Sequence, residues 1–488
     1  MKTNCCITIS IYLFFSLYAF GQNELSQNQV LEDYTIFREI ITTGHPSLYE
    51  YTSKFEWDSI FRTFRQNGIK KVKNSNDLFK SFTAIADKAK DGHLIVYHPK
   101  MDTVPPMFPL LLKIIDKKFY TDTDDFGISV GSEIKSINGK PSQIILENLM
   151  KYAPSDGLNL TKKYRQIENE FGILHYYEYG SKQSYSVKYE TIKGEVKTIE
   201  IAPKSFERIG NRYPNRNSHF ASYHQNTDQF EYFKNRIAEK WPLVYYIDSI
   251  NTAVLTVNSF GLDPEEFKSK LIDLFRGIKK NKVESLIIDI RQNFGGYRIN
   301  AINLYSFLTI APFKQRISES AITKVLPHEE YIIHTMSDYI KFFEMYFVSA
   351  KGEDGRWLLK EDHAQAEMIP YKKTFQGKVY VLVGGNTFSA ASAFALNTKN
   401  DQNITLVGEE TGGGYYFHTG QYSALYELPN SKIMVRMPFV KIDKYVLDNS
   451  IPKGSGILPD IKVTMTVKDL IDGKDSQLDF IVRQISKK

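Results

Sequence analysis

The sequence predicts an α/β fold, because buried strands alternate with helices in the second half of the chain. The apolar runs at 286–290 and 379–383 have the length and β-branched content of buried strands. Helical patterns follow at 299–308 and 390–396, and an earlier helix at 264–279 carries its apolar residues on one face. Strands and helices in this order pack in layers. We therefore expect a layered α/β domain over residues 241–488.

The N-terminal residues 1–21 have the pattern of a secretory signal peptide. Lys2 precedes an apolar run from Ile7 to Phe20, which is too short to span a bilayer comfortably. Cys5 and Cys6 are the only cysteines, and both would leave with this leader. A mature chain without cysteine excludes a disulfide scaffold, a cysteine nucleophile and thiolate metal sites. We expect an exported protein, periplasmic or extracellular, without a stable membrane anchor after cleavage.

The chain length of 488 residues is too large for one core and indicates two or three domains. Apolar residues recur at helical spacing up to about residue 90, which predicts a helical cap domain over 22–100. Short strands then predict a β-rich domain over 101–205, with an atypically long loop at 153–179. Residues 206–240 have little periodicity and are interpreted as a linker or lid, and 311–377 as an excursion of mixed helix.

Charge and composition exclude some function classes. The formal net charge is +6, and no lysine or arginine block is long enough to follow a phosphate backbone, so we expect no nucleic-acid partner. The sequence has no metal-binding or cofactor-binding motif, and we expect neither a metal nor an organic cofactor.

Ser389 follows the predicted strand at 379–383 and precedes the alanine-rich helix. A serine at this position has its hydroxyl beside backbone N–H groups that lack a helical partner, which suits a nucleophile. The alternative is that Ser389 only caps the helix. A second feature favours the nucleophile, because Gly295 and Gly296 follow the strand at 286–290. Paired glycines let backbone N–H groups face a cavity, as an oxyanion hole requires.

Four segments occur in the order LIIDIRQNFGG, NTFSAASAFA, LVGEETGGG and GILPDI. This order resembles peptidase family S41, the C-terminal processing or tail-specific proteases. The resemblance implies a crotonase/ClpP-like β/α spiral as the catalytic domain. It implies Ser389 as the nucleophile, with an oxyanion hole formed by Gly295 or Gly296 and by Ala390. In this context the segment 130–141 is similar to a PDZ signature, so the β-rich domain is interpreted as PDZ-like, binding extended peptides.

The proton acceptor for Ser389 is the weaker part of the resemblance. Many S41 enzymes use a lysine in the register that here falls on Gly414. The lysine is missing there, so we expect no lysine-based mechanism and a different group as the acceptor of the serine proton. Other S41 branches carry a histidine in an Asp-x-His segment, which makes His93 the first candidate base and His418 the second. Lys399 is expected to face solvent.

The acid that would orient a histidine base has no matching residue, since its register falls on Lys453. Glu409, Glu410 and Asp448 remain as candidates. We therefore expect an exported serine endopeptidase that hydrolyses protein or peptide substrates bound in extended form. The alternative is a catalytically inactive S41-fold protein that binds peptides or acts as a scaffold. A lipase-type esterase is weaker, because no Gly-x-Ser-x-Gly segment surrounds the serine.

Overall fold

The computed structural model describes residues 24–210, 242–334, 347, 351–352, 354–360 and 367–487. The predicted leader at 1–21 and nearly all of the linker or lid predicted at 206–240 lie outside the described residues. In the described part of the chain, no helix is both long enough and apolar enough to cross a membrane.

The described part of the chain combines helices with short strands. The helices are α1 (Gln27–Gly44), α2 (Lys54–Thr63), α3 (Ser75–Ala86), α4 (Ser142–Leu149), α5 (Thr161–Tyr179), α6 (Phe206–Gly210), α7 (Pro264–Lys280), α8 (Arg298–Ser306), α9 (Ala390–Lys399), α10 (Val467–Ile471) and α11 (Ser476–Ser486). The strands are β1 (Ile95–Tyr97), β2 (Leu112–Ile115), β3 (Lys118–Thr121), β4 (Glu133–Ile137), β5 (Lys140–Pro141), β6 (Tyr185–Glu190), β7 (Val196–Ile201), β8 (Leu243–Ile247), β9 (Thr252–Thr256), β10 (Ser285–Asp289), β11 (Arg316–Ala321), β12 (Ile332–His334), β13 (Trp357–Leu358), β14 (Lys378–Val383), β15 (Ile404–Gly408), β16 (Phe417–His418), β17 (Ser423–Glu427), β18 (Met434–Pro438), β19 (Lys441–Lys444) and β20 (Ile461–Lys462).

The central sheet has the strand order β20-β15-β14-β10-β9-β8 and is parallel except for the pair β8 and β9. Its strands are apolar at successive positions because both faces are covered. Helices α7, α8 and α9 pack on one face, and α11 packs on the other. This arrangement confirms the predicted α/β class.

The parallel strands β10, β14 and β15 end at the same edge of the sheet. The loops that follow them carry Gly295 and Gly296, then Ser389, then Gly412 to Gly414. Ligands of open α/β sheets bind at this edge. The topology therefore brings the glycine pair, Ser389 and the glycine loop to the same edge of the sheet.

Two antiparallel sheets flank this edge, with strand orders β1-β18-β17-β12 and β13-β11-β19-β16. The expectation of mixed helix over 311–377 is wrong for the described part, where β11, β12 and β13 form. β11 pairs with β19 along its length, and this long-range pairing overrides the local pattern.

The segment 101–205 forms an antiparallel sheet in the order β2-β3-β4-β6-β7, with β5 paired to β4. Its PDZ-like character stays a prediction. The loop expected at 153–179 is wrong, because α5 occupies most of it. This helix has no side-chain cap at its start, and Lys162, Lys163 and Glu168 are buried beside its apolar residues. Because of these two features, capping residues and apolar periodicity do not indicate this helix in the sequence.

Candidate active site

Ser389 lies at the turn between β14 and α9. Its backbone has φ 54° and ψ −122°, a left-handed conformation that residues other than glycine rarely adopt. Its side chain makes no capping hydrogen bond, so the alternative that Ser389 caps the helix is wrong. In the fully described stretch from Val379 to Thr398, it is the only residue that is not buried. The turn therefore presents one hydroxyl at the edge of an otherwise buried unit.

The loop after β10 holds the Ser389 turn in place. The Thr387 hydroxyl accepts a hydrogen bond from the Gly384 N–H (3.0 Å) and donates one to the Ile290 carbonyl (3.0 Å). The Phe388 N–H donates to the Asn293 carbonyl (3.1 Å). These bonds fix the serine relative to the glycine pair, and such local bonds help to hold a strained backbone.

Gly295 and Gly296 face Ser389 and both have positive φ, 104° and 136°. A Cβ atom on Gly295 would lie 2.7 Å from the Ser389 Cβ and 3.0 Å from the Ala390 nitrogen, so a side chain does not fit there. The Gly295 N–H donates to Asn293 Oδ1 (2.8 Å). The N–H groups of Gly296 and Ala390 have no acceptor among the described residues. Of the predicted oxyanion donors, these two are available to a ligand.

His93 lies next to this turn, and its side chain is 4% exposed. Its ring stacks on Phe388 with the ring centroids 4.5 Å apart. Its Nδ1 lies 3.8 Å from Asp91 Oδ1 and 3.8 Å from Asp156 Oδ1. Neither ring nitrogen makes a hydrogen bond to a residue that the structure describes. Burial lowers the pKa of His93 to about 3, against the opposing charge of Asp91.

Asp91 is fixed by several donors. Its Oδ1 accepts from the His93 N–H (2.7 Å), and its Oδ2 accepts from the Thr419 hydroxyl (2.6 Å) and lies 3.0 Å from His45 Nε2. Burial acts to raise the pKa of Asp91, but the bond to His45 and the nearby imidazoles outweigh it, and the pKa is lowered. Asp91 is therefore an ionised partner for the histidines around it.

Asp156 is a site residue that the sequence did not reveal, because it lies in the segment interpreted as a loop. Its Oδ1 accepts from the Gly92 N–H (2.8 Å) and its Oδ2 from the Gly414 N–H (3.0 Å). Burial, with the charge of Asp91 second, raises the pKa of Asp156 to about 6. The residue thus links the His93 segment to the glycine loop after β15.

Three of these side chains could also hold a metal ion. One ligand atom each from Asp91, His93 and Asp156 lies within 4.8 Å of the others. Carboxylate and imidazole ligands suit several divalent metals. The carboxylates already accept bonds from N–H and O–H donors, and the expectation of no metal stays a prediction.

Lys444 is a second site residue without a sequence signal of its own. It is 2% exposed, and its Nζ donates to the Gly414 carbonyl (2.6 Å) and to Ser392 Oγ (3.2 Å). The Ser392 hydroxyl in turn donates to the Ser389 carbonyl (2.8 Å). Burial lowers the pKa of Lys444 to about 8. The amine therefore reaches the backbone of Gly414, the position where the register of the family lysine falls.

Ser389 and Lys444 border one cavity of about 240 Å³. Its lining consists of Gly296, Tyr297, Arg298, Gln315, Arg316, Ser389, Ala390, Ala393, His418, Gly420, Gln421, Ile442 and Lys444. His418 is among these lining residues; its Nδ1 accepts from the Gly420 N–H (3.2 Å), and burial lowers its pKa. His93 is not in this lining. A Cβ atom on Gly420 would lie 2.1 Å from His93 Nε2, so the imidazole lies directly behind Gly420.

The other candidates from the sequence bond elsewhere, and no carboxylate is among the described residues that line the cavity. The contacts are Glu409 with Arg165, Glu410 with the Gly456 N–H, Asp448 with Ser450, Lys399 with Asp460, and Lys453 with Glu50. Lys399 therefore pairs with an aspartate, and the structure does not bring it to Ser389.

Solved structures similar to this chain include those of CPAF. Mature CPAF in complex with lactacystin is 14% identical, with 94% of this chain and 98% of that chain covered and a TM-score of 0.61. A serine-to-alanine mutant of CPAF is 13% identical, with 94% and 96% covered and a TM-score of 0.63. At such identities the likeness shows a shared fold. No curated protein matches the sequence.

The sequence itself matches a family model. Residues 251–463 match the model described as peptidase family S41. The matched range contains the glycine pair, Ser389, the glycine loop and Lys444. Residues 251–463 therefore form a peptidase family S41 domain, the domain of a serine-type peptidase.

Proposed function

We propose that the protein is an exported serine endopeptidase that cleaves protein or peptide substrates through an acyl-enzyme on Ser389. The observation that carries the proposal is the Ser389 turn, where an uncapped hydroxyl on a left-handed backbone emerges from buried neighbours. Strain of this kind is held at functional sites by the surrounding structure. The N–H groups of Gly296 and Ala390 would receive the oxyanion, as electrostatic stabilisation of acyl transfer requires.

The reaction proceeds in two halves. In the first, Ser389 Oγ bonds to the carbonyl carbon, the hydroxyl proton passes to a base, and the oxyanion forms between the two N–H groups. The carbon–nitrogen bond then breaks, and the base returns its proton to the leaving amine. In the second half, water attacks the ester carbonyl carbon and gives one proton to the same base. The bond between that carbon and Ser389 Oγ then breaks, the base returns the proton to Oγ, and the acid leaves.

We propose that Lys444 accepts the serine proton. This amine borders the cavity with Ser389 and is joined to the Ser389 carbonyl through the Ser392 hydroxyl. With a pKa of about 8, about a tenth of the lysine is neutral at pH 7 and can accept a proton. His93, the acceptor expected from the resemblance, lies behind Gly420 and is the competing candidate. The two candidates predict different pH dependences.

The β-rich segment 101–205 is proposed to present extended chains, including C-terminal tails, to the catalytic domain. What supports this role is the PDZ-like sequence at 130–141 and an antiparallel sheet whose edge strands are β2 and β7. An exposed strand edge can bind an extended peptide through backbone hydrogen bonds. Export is proposed from the leader-like sequence at 1–21.

Fluorophosphonate labelling of the purified full-length chain tests the nucleophile. We expect the wild type to be labelled and Ser389→Ala to remain unlabelled, because the probe phosphonylates an activated serine. Ser306→Ala is the matched control, since Ser306 bonds within its own helix to the Asn303 carbonyl, and it should label like the wild type. Absence of labelling in the wild type, together with retained peptide binding, would instead support a non-catalytic peptide-binding protein.

A further inference from the structure

The cavity beside Ser389 is lined by cations. Arg298 and Arg316 border it, and no described residue of the lining is acidic. We propose that this cavity is a specificity pocket for a carboxylate of the substrate, supplied by an Asp or Glu side chain or by a free C-terminus. The inference deepens the proposed function and rests on it where cleavage is concerned.

Arg298 is the first element of the pocket. It begins α8, lies partly buried in the lining, and forms no ion pair with a carboxylate of the described chain. Burial lowers the pKa of Arg298 to about 10. Arg316 lies close enough that the charge of Arg298, after burial, lowers its pKa as well. An anion between these guanidinium groups would relieve both effects, because guanidinium binds carboxylate in a bidentate geometry.

Gln315 gives an independent sign of a ligand. Its side chain is 4% exposed and lines the cavity, and neither Nε2 nor Oε1 has a hydrogen-bond partner in the described structure. Buried amides are nearly always hydrogen-bonded. A carboxylate in the cavity would accept from Nε2. Arg316 already forms an ion pair with Glu319 and donates a hydrogen bond to Gln421, which hold its side chain at the wall, so Arg298 is the arginine that would bind the carboxylate most directly.

The size of the pocket limits what enters it. Its volume of about 240 Å³ is below the roughly 300–1,000 Å³ of sites for drug-sized ligands. It is therefore suited to about one residue of a substrate. Because Ser389 lies in the same lining, that residue would lie next to the cleaved bond.

Cleavage of matched peptides separates the two sources of the carboxylate. Two kinds of pair are compared. In the first kind, the two peptides differ only by Glu or Gln at one position, and each position near the cleaved bond is tested in turn. In the second kind, they differ only by a C-terminal acid or amide. We expect the wild type to favour the carboxylate in one pair by at least about 10-fold in kcat/KM. Arg298→Gln should remove that preference. Arg276→Gln should keep it, because Arg276 is an exposed arginine paired with Asp273.

Equal kcat/KM within both pairs would overturn the pocket while leaving the peptidase function intact. Binding of the same fluorescent peptides to full-length Ser389→Ala provides the second measurement. Tighter, salt-sensitive binding of one carboxylate peptide, lost in Ser389→Ala/Arg298→Gln, would support the pocket even if no peptide is cleaved. Equal affinity for the charged and neutral peptides would refute it.

Discussion

The pH dependence of peptide cleavage separates Lys444 from His93 as the proton acceptor. Only the neutral amine of Lys444 can accept a proton, so its pKa of about 8 predicts that kcat/KM rises with pH up to that value. The neutral fraction is about 1% at pH 6 and about half at pH 8, which predicts an increase of about 50-fold between these pH values. His93 has a pKa lowered to about 3 and would give no rise over this range.

The assay measures kcat/KM for one quenched fluorescent peptide between pH 5 and 9. Lys444→Met should abolish the rise and most of the activity, whereas Lys441→Met on the same strand should keep both, because Lys441 pairs with Glu50. Lys162 also has a pKa lowered by burial to about 8, but its Nζ lies over the Phe388 ring and it is not in the cavity lining. A flat wild-type profile, or a rise that survives Lys444→Met, would refute the assignment.

Two further predictions concern stability, measured as the free energy of unfolding in urea. Gly420→Ala should lower the free energy of unfolding by about 1–3 kcal/mol, because the new Cβ would lie 2.1 Å from His93 Nε2. Gly277→Ala within α7 is the control and should be neutral or stabilising. Equal effects of the two substitutions would refute the packing argument. Arg291→Met should lower the free energy of unfolding by about 3–5 kcal/mol, since it leaves the partly buried carboxylates of Asp289 and Asp475 without their partner. Arg276→Gln removes an exposed ion pair and should lower it by less than about 1 kcal/mol. A comparable loss in the two variants would contradict this prediction.

The strands β10 and β14, the helices α7, α8 and α9, and the Ser389 turn could be predicted from the sequence because their signals are local. Apart from Asp289, the runs at 286–290 and 379–383 consist of aliphatic and aromatic residues, as expected of strands covered on both faces. The glycine pair was also readable, since positive φ is a local property. The sequence did not distinguish Gly295 from Gly296 as the oxyanion donor. The distinction depends on one hydrogen bond, which the Gly295 N–H donates to Asn293 Oδ1.

The buried polar residues of the site could not be predicted, because tertiary contacts assemble them. Asp156 accepts a hydrogen bond from the Gly414 N–H, although the two residues are more than half of the chain apart in sequence. Lys444, at the end of β19, donates to the Gly414 carbonyl. Neither residue belongs to a segment with a recognisable spacing. The proposed roles of Arg298 and Gln315 likewise depend on the cavity that both residues line.

Ser389 is the residue that becomes acylated in the proposed mechanism. The most direct measurement is tandem mass spectrometry of the full-length protein after brief exposure to an activated acyl ester at acidic pH, where deacylation is slowed. We expect one acyl group on the peptide that contains Ser389, and none on Ser389→Ala. An adduct on a different residue, or turnover of peptides without any acyl adduct, would contradict the proposed mechanism.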